Sequence, residues 1–101
     1  MMAFALRASA SVRAVLRSLR DDPDRADVWQ AVSERIALIR TDPAAPRARG
    51  VERQMQPSGV LARATSVAVP DSNEMWIVVW HLAHDDSGDA IELVRVERWS
   101  E

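Results

Sequence analysis

The spacing of apolar residues changes near Gly50, and this change constrains the fold more than any other feature of the sequence. Before Gly50, apolar residues recur every three or four positions, as they do along one face of an α-helix. After Gly50, they fill short stretches rich in Val, Ala and Thr, which are typical of strands. The sequence therefore predicts helices followed by a sheet, which is an α+β domain.

Two amphipathic helices are expected in the first half of the chain. Either Ser9 or Ser11 can cap the first, and Asp22 followed by Pro23 can begin the second. The second helix should end near Arg40, since Asp42 precedes Pro43. The apolar stripes of the two helices are Val12, Val15, Leu16 and Leu19, then Val28, Val32, Ile36 and Ile39 with Trp29 beside them. Because only about four residues separate the helices, they should form an antiparallel hairpin.

Strands are expected before and after this helical hairpin. Residues 3–8 alternate in the manner of a short first strand, and residues 51–56 either add a short strand or lead into the sheet. Residues 60–69, 75–83 and 90–99 are the main strands, and the second of them is apolar on both faces, as a central strand is. We expect a strand, the helical hairpin and then a three- to four-stranded antiparallel sheet covered on one face by the helices.

The length of 101 residues leaves room for one domain, residues 1–101, which can bury about 65% of its unfolded surface. The chain has no cysteine, which excludes disulfides, thiol nucleophiles and zinc sites built on sulfur. It has no run of 18 apolar residues, and the opening ten residues are interrupted by Arg7. A cytoplasmic protein without a membrane segment is expected.

The 13 basic residues are all arginine, and they are unevenly placed. Residues 1–53 contain 10 arginines and 7 acids, a net charge of +3, whereas residues 54–101 contain 3 arginines and 8 acids, a net charge of −5. The total of −2 argues against a protein that coats nucleic acid. A local arginine patch could still contact phosphate.

This order of elements, at this length, resembles the RelE/ParE superfamily of bacterial toxins. The resemblance covers nearly the whole chain. It rests on an opening strand that runs into Ser9 and Ala10, a helical hairpin that ends in Thr41-Asp42-Pro43, and a last strand that ends in Val96-Glu97-Arg98-Trp99. The resemblance implies the toxin of a type II toxin-antitoxin pair, with a cognate antitoxin protein as its partner.

Ribonuclease members of that superfamily cut messenger RNA on the ribosome without a metal or cofactor, so a base, a phosphate-binding arginine and an acid must meet on one face of the sheet. The matching positions here are Arg63, His81 and Arg98, and Trp99 could stack on a base. Many members have an arginine where this chain has Ile77. The alternative is therefore a RelE/ParE-like binding protein without catalysis, either an inhibitor of a protein target or an orphan interaction domain. A third possibility is a small α+β interaction protein outside the superfamily.

Two groups of arginines are candidate binding residues. Arg13, Arg17 and Arg20 lie opposite the apolar stripe of the first helix, where they either face solvent or bind an acidic partner. Arg47, Arg49 and Arg53 lie near the loop of residues 41–50, where they either belong to a solvated linker or contact phosphates of a substrate.

The catalytic candidates also have structural interpretations. His81 could be a half-buried, hydrogen-bonded histidine, and Arg98 could pair with Glu97 or Glu92. His84 is followed by Asp85 and Asp86, but the spacing of acids there does not match a calcium loop and indicates a polar turn over residues 85–89. No metal site is predicted.

Overall fold

A computed structural model describes residues 3–54, 61–86 and 88–99, without the side chains of Arg53, Gln54 and Asp85. The predicted α+β class is confirmed. In chain order, the elements are β1 (Ala5–Ala8), α1 (Ala10–Asp21), a 3-10 turn (Pro23–Arg25), α2 (Ala26–Thr41), α3 (Pro46–Arg49), β2 (Val51–Gln54), β3 (Leu61–Ala68), β4 (Met75–Asp85) and β5 (Gly88–Arg98). Gln56 and Val60, which bound two of the predicted strands, lie outside the described residues.

The five strands form one sheet in the order β1-β5-β4-β3-β2. Strands β2 to β5 are antiparallel neighbours, as predicted, but β1 pairs with β5 in parallel, from Ala5 opposite Ala90 to Ala8 opposite Leu93. The predicted antiparallel sheet of the strands after the hairpin is confirmed, and the first strand, whose pairing was not predicted, makes the sheet mixed. No hairpin turn joins β1 to β5, so nothing local requires the two strands to run in opposite directions.

The helical hairpin begins and ends at the predicted signals. The Oγ of Ser9 accepts the backbone N–H of Val12 at 3.3 Å, and a carboxylate oxygen of Asp22 accepts the N–H of Asp24 at 2.9 Å. The turn that follows Asp22 is a 3-10 turn, so α2 begins three residues later than the proline signal indicates. The helix then ends at Thr41, just before the Asp42-Pro43 pair.

Both helices lie on one face of the sheet and enclose the core. The helices contribute Val12, Leu19, Val28, Val32, Ile36 and Ile39, and the sheet contributes Val67, Val69, Trp76, Val78, Trp80, Ile91, Leu93 and Val96. Alternation along β4 is regular, since Trp76, Val78 and Trp80 are buried while the residues between them are half-buried. The residues between them therefore belong to a second face, which no helix of the described chain covers.

The segment between α2 and β2, predicted as a loop, contains the short helix α3. Its Ala48 is fully buried, and the carbonyl oxygen of Ala48 accepts the indole N–H of Trp80 at 3.0 Å. Gly50 then turns the chain into β2 with φ of 55°, in the region that favours glycine. A Cβ at this position would lie 2.1 Å from the carbonyl oxygen of Ala64, so the turn brings two backbones into close contact.

A β-bulge interrupts the pairing of β4 with β5. Val79 lies opposite Arg95, whereas Trp80 lies opposite Leu93, so Val94 is an extra residue in β5. The insertion lets both Leu93 and Val96 face the core, although they are three positions apart. It also reverses the face on which every later residue of β5 lies.

Among the described residues, no helix is both long enough and apolar enough to cross a membrane.

Candidate functional site: three side chains paired with glutamates

Arg63 and His81 lie on opposite faces of the sheet. Arg63 is opposite Trp80 in the β3–β4 ladder, so it shares the helix-covered face with this core tryptophan. His81 is the next residue of β4 and therefore lies on the uncovered face. Both residues border a groove near Pro43 at the end of the sheet, but their side chains leave the sheet in opposite directions.

The imidazole of His81 is paired with a carboxylate of the neighbouring strand. Its Nε2 lies 2.9 Å from Oε1 of Glu92, and its side chain is 19% exposed. Glu92 in turn lies opposite Arg7 of β1. His81 is thus the half-buried, hydrogen-bonded histidine of the structural interpretation, and it is positioned by Glu92.

Arg98 lies on the helix-covered face, at the far end of the sheet from Arg63. It is opposite Trp76, four residues along β4 from Trp80, which corresponds to about 13 Å. Its Nε lies 3.3 Å from Oε1 of Glu74, rather than next to Glu97 or Glu92 as the sequence suggested. The same glutamate oxygen binds Nη1 of Arg25 at 2.7 Å.

Arg25, Glu74 and Arg98 form an ion-pair cluster. It links the 3-10 turn of the helical hairpin, which contains Arg25, to the start of β4 and the end of β5. The hydrogen bond and charge of Glu74 raise the pKa of Arg25 above its ordinary value. The Glu74 side chain is only 18% exposed, whereas that of Arg98 is 59% exposed. The cluster is therefore an ion pair at the edge of the core, and Arg98 is one of its outer members.

The expected common site is not formed by these three residues. His81 is separated from the two arginines by the sheet, and the arginines are separated from each other by the distance between Trp80 and Trp76. Each of the three candidates also has a glutamate partner: Glu52 lies 3.5 Å from Arg63, Glu92 lies 2.9 Å from His81, and Glu74 lies 3.3 Å from Arg98. A phosphate would have to displace a carboxylate at each position.

The three arginines of α1 are exposed along the side of the helix that faces away from the core. Arg20 pairs with the adjacent Asp21 at 3.0 Å. Within the described part of the chain, the guanidinium groups of Arg13 and Arg17 have neither an ion pair nor a hydrogen bond. They form an uncompensated cationic surface.

The second predicted group of arginines is divided between two elements. Arg47 and Arg49 are exposed on α3, and Arg53 is opposite Ala62 in β2, where its side chain lies outside the described residues. Trp99 follows β5, is 46% exposed, and donates its backbone N–H to the carbonyl oxygen of Met75 at 2.8 Å. Its ring remains available at the surface.

Sequence reasoning named Glu92 only as a possible partner of Arg98, and it did not single out Glu74 or Arg35. The pairing of Glu92 with His81 could have been found, because a hairpin that closes between Asp85 and Gly88 places position 81 opposite position 92. The other two contact residues distant in the sequence, for which no local pattern exists. Across residues 3–54, 61–86 and 88–99, no group of three or more His, Asp or Glu side chains is arranged to hold a metal ion.

No protein-family model, curated protein or solved structure matches this chain.

Proposed function

We propose that this chain is a RelE/ParE-type toxin of a type II toxin-antitoxin pair, and that it acts in the cytoplasm by binding a protein target rather than by cutting RNA. The pairing of Arg63, His81 and Arg98 with three separate glutamates carries the proposal. Catalysis without a metal needs a base and a phosphate-binding cation within hydrogen-bond distance of one phosphodiester. Residues on two faces of a sheet do not meet that requirement.

The cationic surface of α1 supports a protein partner. Arg13, Arg17 and Arg20 span seven residues, which is about 10 Å along the helix. Their spacing of four and three residues places them on one side, where like charges repel each other in the absence of a partner. An acidic, extended segment of an antitoxin would neutralise them and would be steered to them at low salt.

The partner proposal predicts a complex with the protein encoded by the adjacent gene. After co-expression, the two proteins should elute together in size-exclusion chromatography, and the affinity measured by calorimetry should fall as sodium chloride is added. The double variant Arg13→Gln with Arg17→Gln should weaken binding by about tenfold or more at low salt.

The control for this experiment is Arg95→Gln. It removes a single positive charge from an exposed side chain of β5, on the opposite side of the sheet from the helices, so it is matched to the single variant Arg13→Gln. Its binding should match that of the unchanged protein. Elution of the two proteins as separate species, or equal loss of affinity in both variants, would contradict the proposed contact.

The absence of RNA cleavage is tested separately, in cells that express the chain without its partner. We expect growth to stop while messenger RNA on ribosomes stays intact, and His81→Ala should leave the arrest unchanged. Cleavage that is mapped to ribosome-bound messages and abolished by His81→Ala would establish the ribonuclease alternative instead. Normal growth of expressing cells would argue against a toxin of either kind.

A further inference from the structure

A groove between α2 and β3 contains two arginines that no acid neutralises. It has a volume of about 530 Å³, and its lining includes Arg35, Arg47 and apolar atoms of Leu38 and Val67. Neither arginine forms an ion pair within the described part of the chain. This groove lies away from the arginine surface of α1, and its role is independent of the proposed toxin function.

Arg35 is held in place by neutral oxygen atoms. Its Nη1 lies 2.7 Å from the carbonyl oxygen of Ser66, 3.0 Å from Oγ1 of Thr65 and 3.1 Å from the carbonyl oxygen of Arg47. Thr65 is itself 1% exposed, and it donates its hydroxyl to the same carbonyl of Arg47 at 2.7 Å. These contacts fix the guanidinium against β3, and they leave its Nε and Nη2 without an acceptor among the described residues.

The charge of Arg35 is disfavoured where it lies. Partial burial and the positive charge of Arg47 both lower the pKa of Arg35 from its ordinary value. A guanidinium that is half-buried, preorganised and close to a second cation is stabilised by an anion that contacts both groups. None of the described acidic side chains lies within ion-pair distance of Arg35 or Arg47.

We propose that Arg35 and Arg47 bind one oxyanion group, a carboxylate or a phosphate monoester, in the groove between α2 and β3. Three acids, Asp27, Glu34 and Asp71, also line the groove, so its formal charge with the two arginines is −1. A net charge of −1 disfavours a polyanion such as nucleic acid, so a ligand with a single anionic group has to be held by direct contacts with the two guanidinium groups and with the apolar lining. The groove is thus a different kind of site from the expected phosphate contacts of a ribonuclease.

The test is thermal unfolding of the full chain with two probes. Inorganic phosphate represents the free anion, and the peptide acetyl-Gly-Glu-Gly-amide represents an acidic side chain, with its Gln counterpart as the blank. Sodium chloride at the same ionic strength gives the baseline. At least one probe should raise the Tm by about 4 °C or more once its concentration is several times the Kd. A rise with only one of them identifies the source of the anion.

Arg47→Gln should remove that rise while leaving the fold intact, since the contacts from Arg47 to Arg35 and Thr65 use its backbone carbonyl. Arg35→Gln should also remove the rise in Tm, but it loses the hydrogen bonds from Arg35 to Thr65 and Ser66 of β3 as well. Arg95→Gln, on the other side of the sheet, should retain the full rise. A Tm that neither probe raises above the chloride baseline, or a rise that persists in Arg47→Gln, would overturn the proposal.

Discussion

Gly50→Ala should lower the free energy of unfolding by about 3 to 5 kcal/mol, because two penalties add at this position. The backbone has φ of 55° and ψ of −139°, a conformation that L side chains rarely adopt. The new Cβ would lie 2.1 Å from the carbonyl oxygen of Ala64 and 2.7 Å from Cα of Thr65. Both are backbone atoms of β3, so a change of side-chain rotamer cannot relieve the clash. Urea denaturation followed by circular dichroism measures the loss.

Gly88→Ala provides a matched control for the clash. Gly88 also has a positive φ, of 114°, but a Cβ there would meet no atom within 4 Å. Its substitution should therefore cost only the conformational penalty, about 1 to 2 kcal/mol. Equal losses in the two variants would show that the close approach between Gly50 and β3 does not hold β2 in place.

Ile36→Ala should have the second large effect, a loss of about 2 to 5 kcal/mol in the free energy of unfolding. Ile36 is 7% exposed and belongs to the core cluster between α2 and the sheet. Truncation removes apolar contacts and leaves a cavity that the surrounding core closes only in part. The same urea titration measures this loss.

Leu82→Ala is the comparison for Ile36→Ala. Leu82 lies in β4 but is 51% exposed, so its truncation should change the stability by no more than about 0.5 kcal/mol. A loss below about 1 kcal/mol for Ile36→Ala would show that a different face of α2 is buried.

Features of the fold that depend on neighbours in the sequence were predictable. The stripes of α1 and α2, the cap at Ser9 and the central position of β4 all follow from local spacing. The direction of β1 was not predictable, because its partner β5 is about eighty residues further along the chain. The helix α3 was missed for another reason: it is four residues long and is stabilised by the hydrogen bond from Trp80 and by burial of Ala48.

The three candidates do not converge for two reasons. Arg63 is opposite Trp80 and therefore lies on the other face from the next residue of β4, His81, and an inserted residue in β5 moves Arg98 away from the face of His81. Without the bulge at Val94, period-two alternation would place Arg98 on the same face as Glu92, and therefore as His81. The insertion can be detected in the sequence, because the spacing of the apolar residues Ile91, Leu93 and Val96 changes from two to three. The pairing of Glu92 with His81 follows from the position of the β4–β5 turn, whereas the pairing of Glu74 with Arg98 and Arg25 depends on contacts distant in the sequence.

The parallel pairing of β1 with β5 has a consequence for the order in which the chain can assemble. Of the five strands, β1 is made first, but the strand that it joins, β5, is made last. The helical hairpin and the β3–β4 ladder join segments that are close in sequence, so each can form while synthesis continues. The first strand to be made is thus among the last to reach its native neighbour, and the sheet is complete only after β5 has left the ribosome.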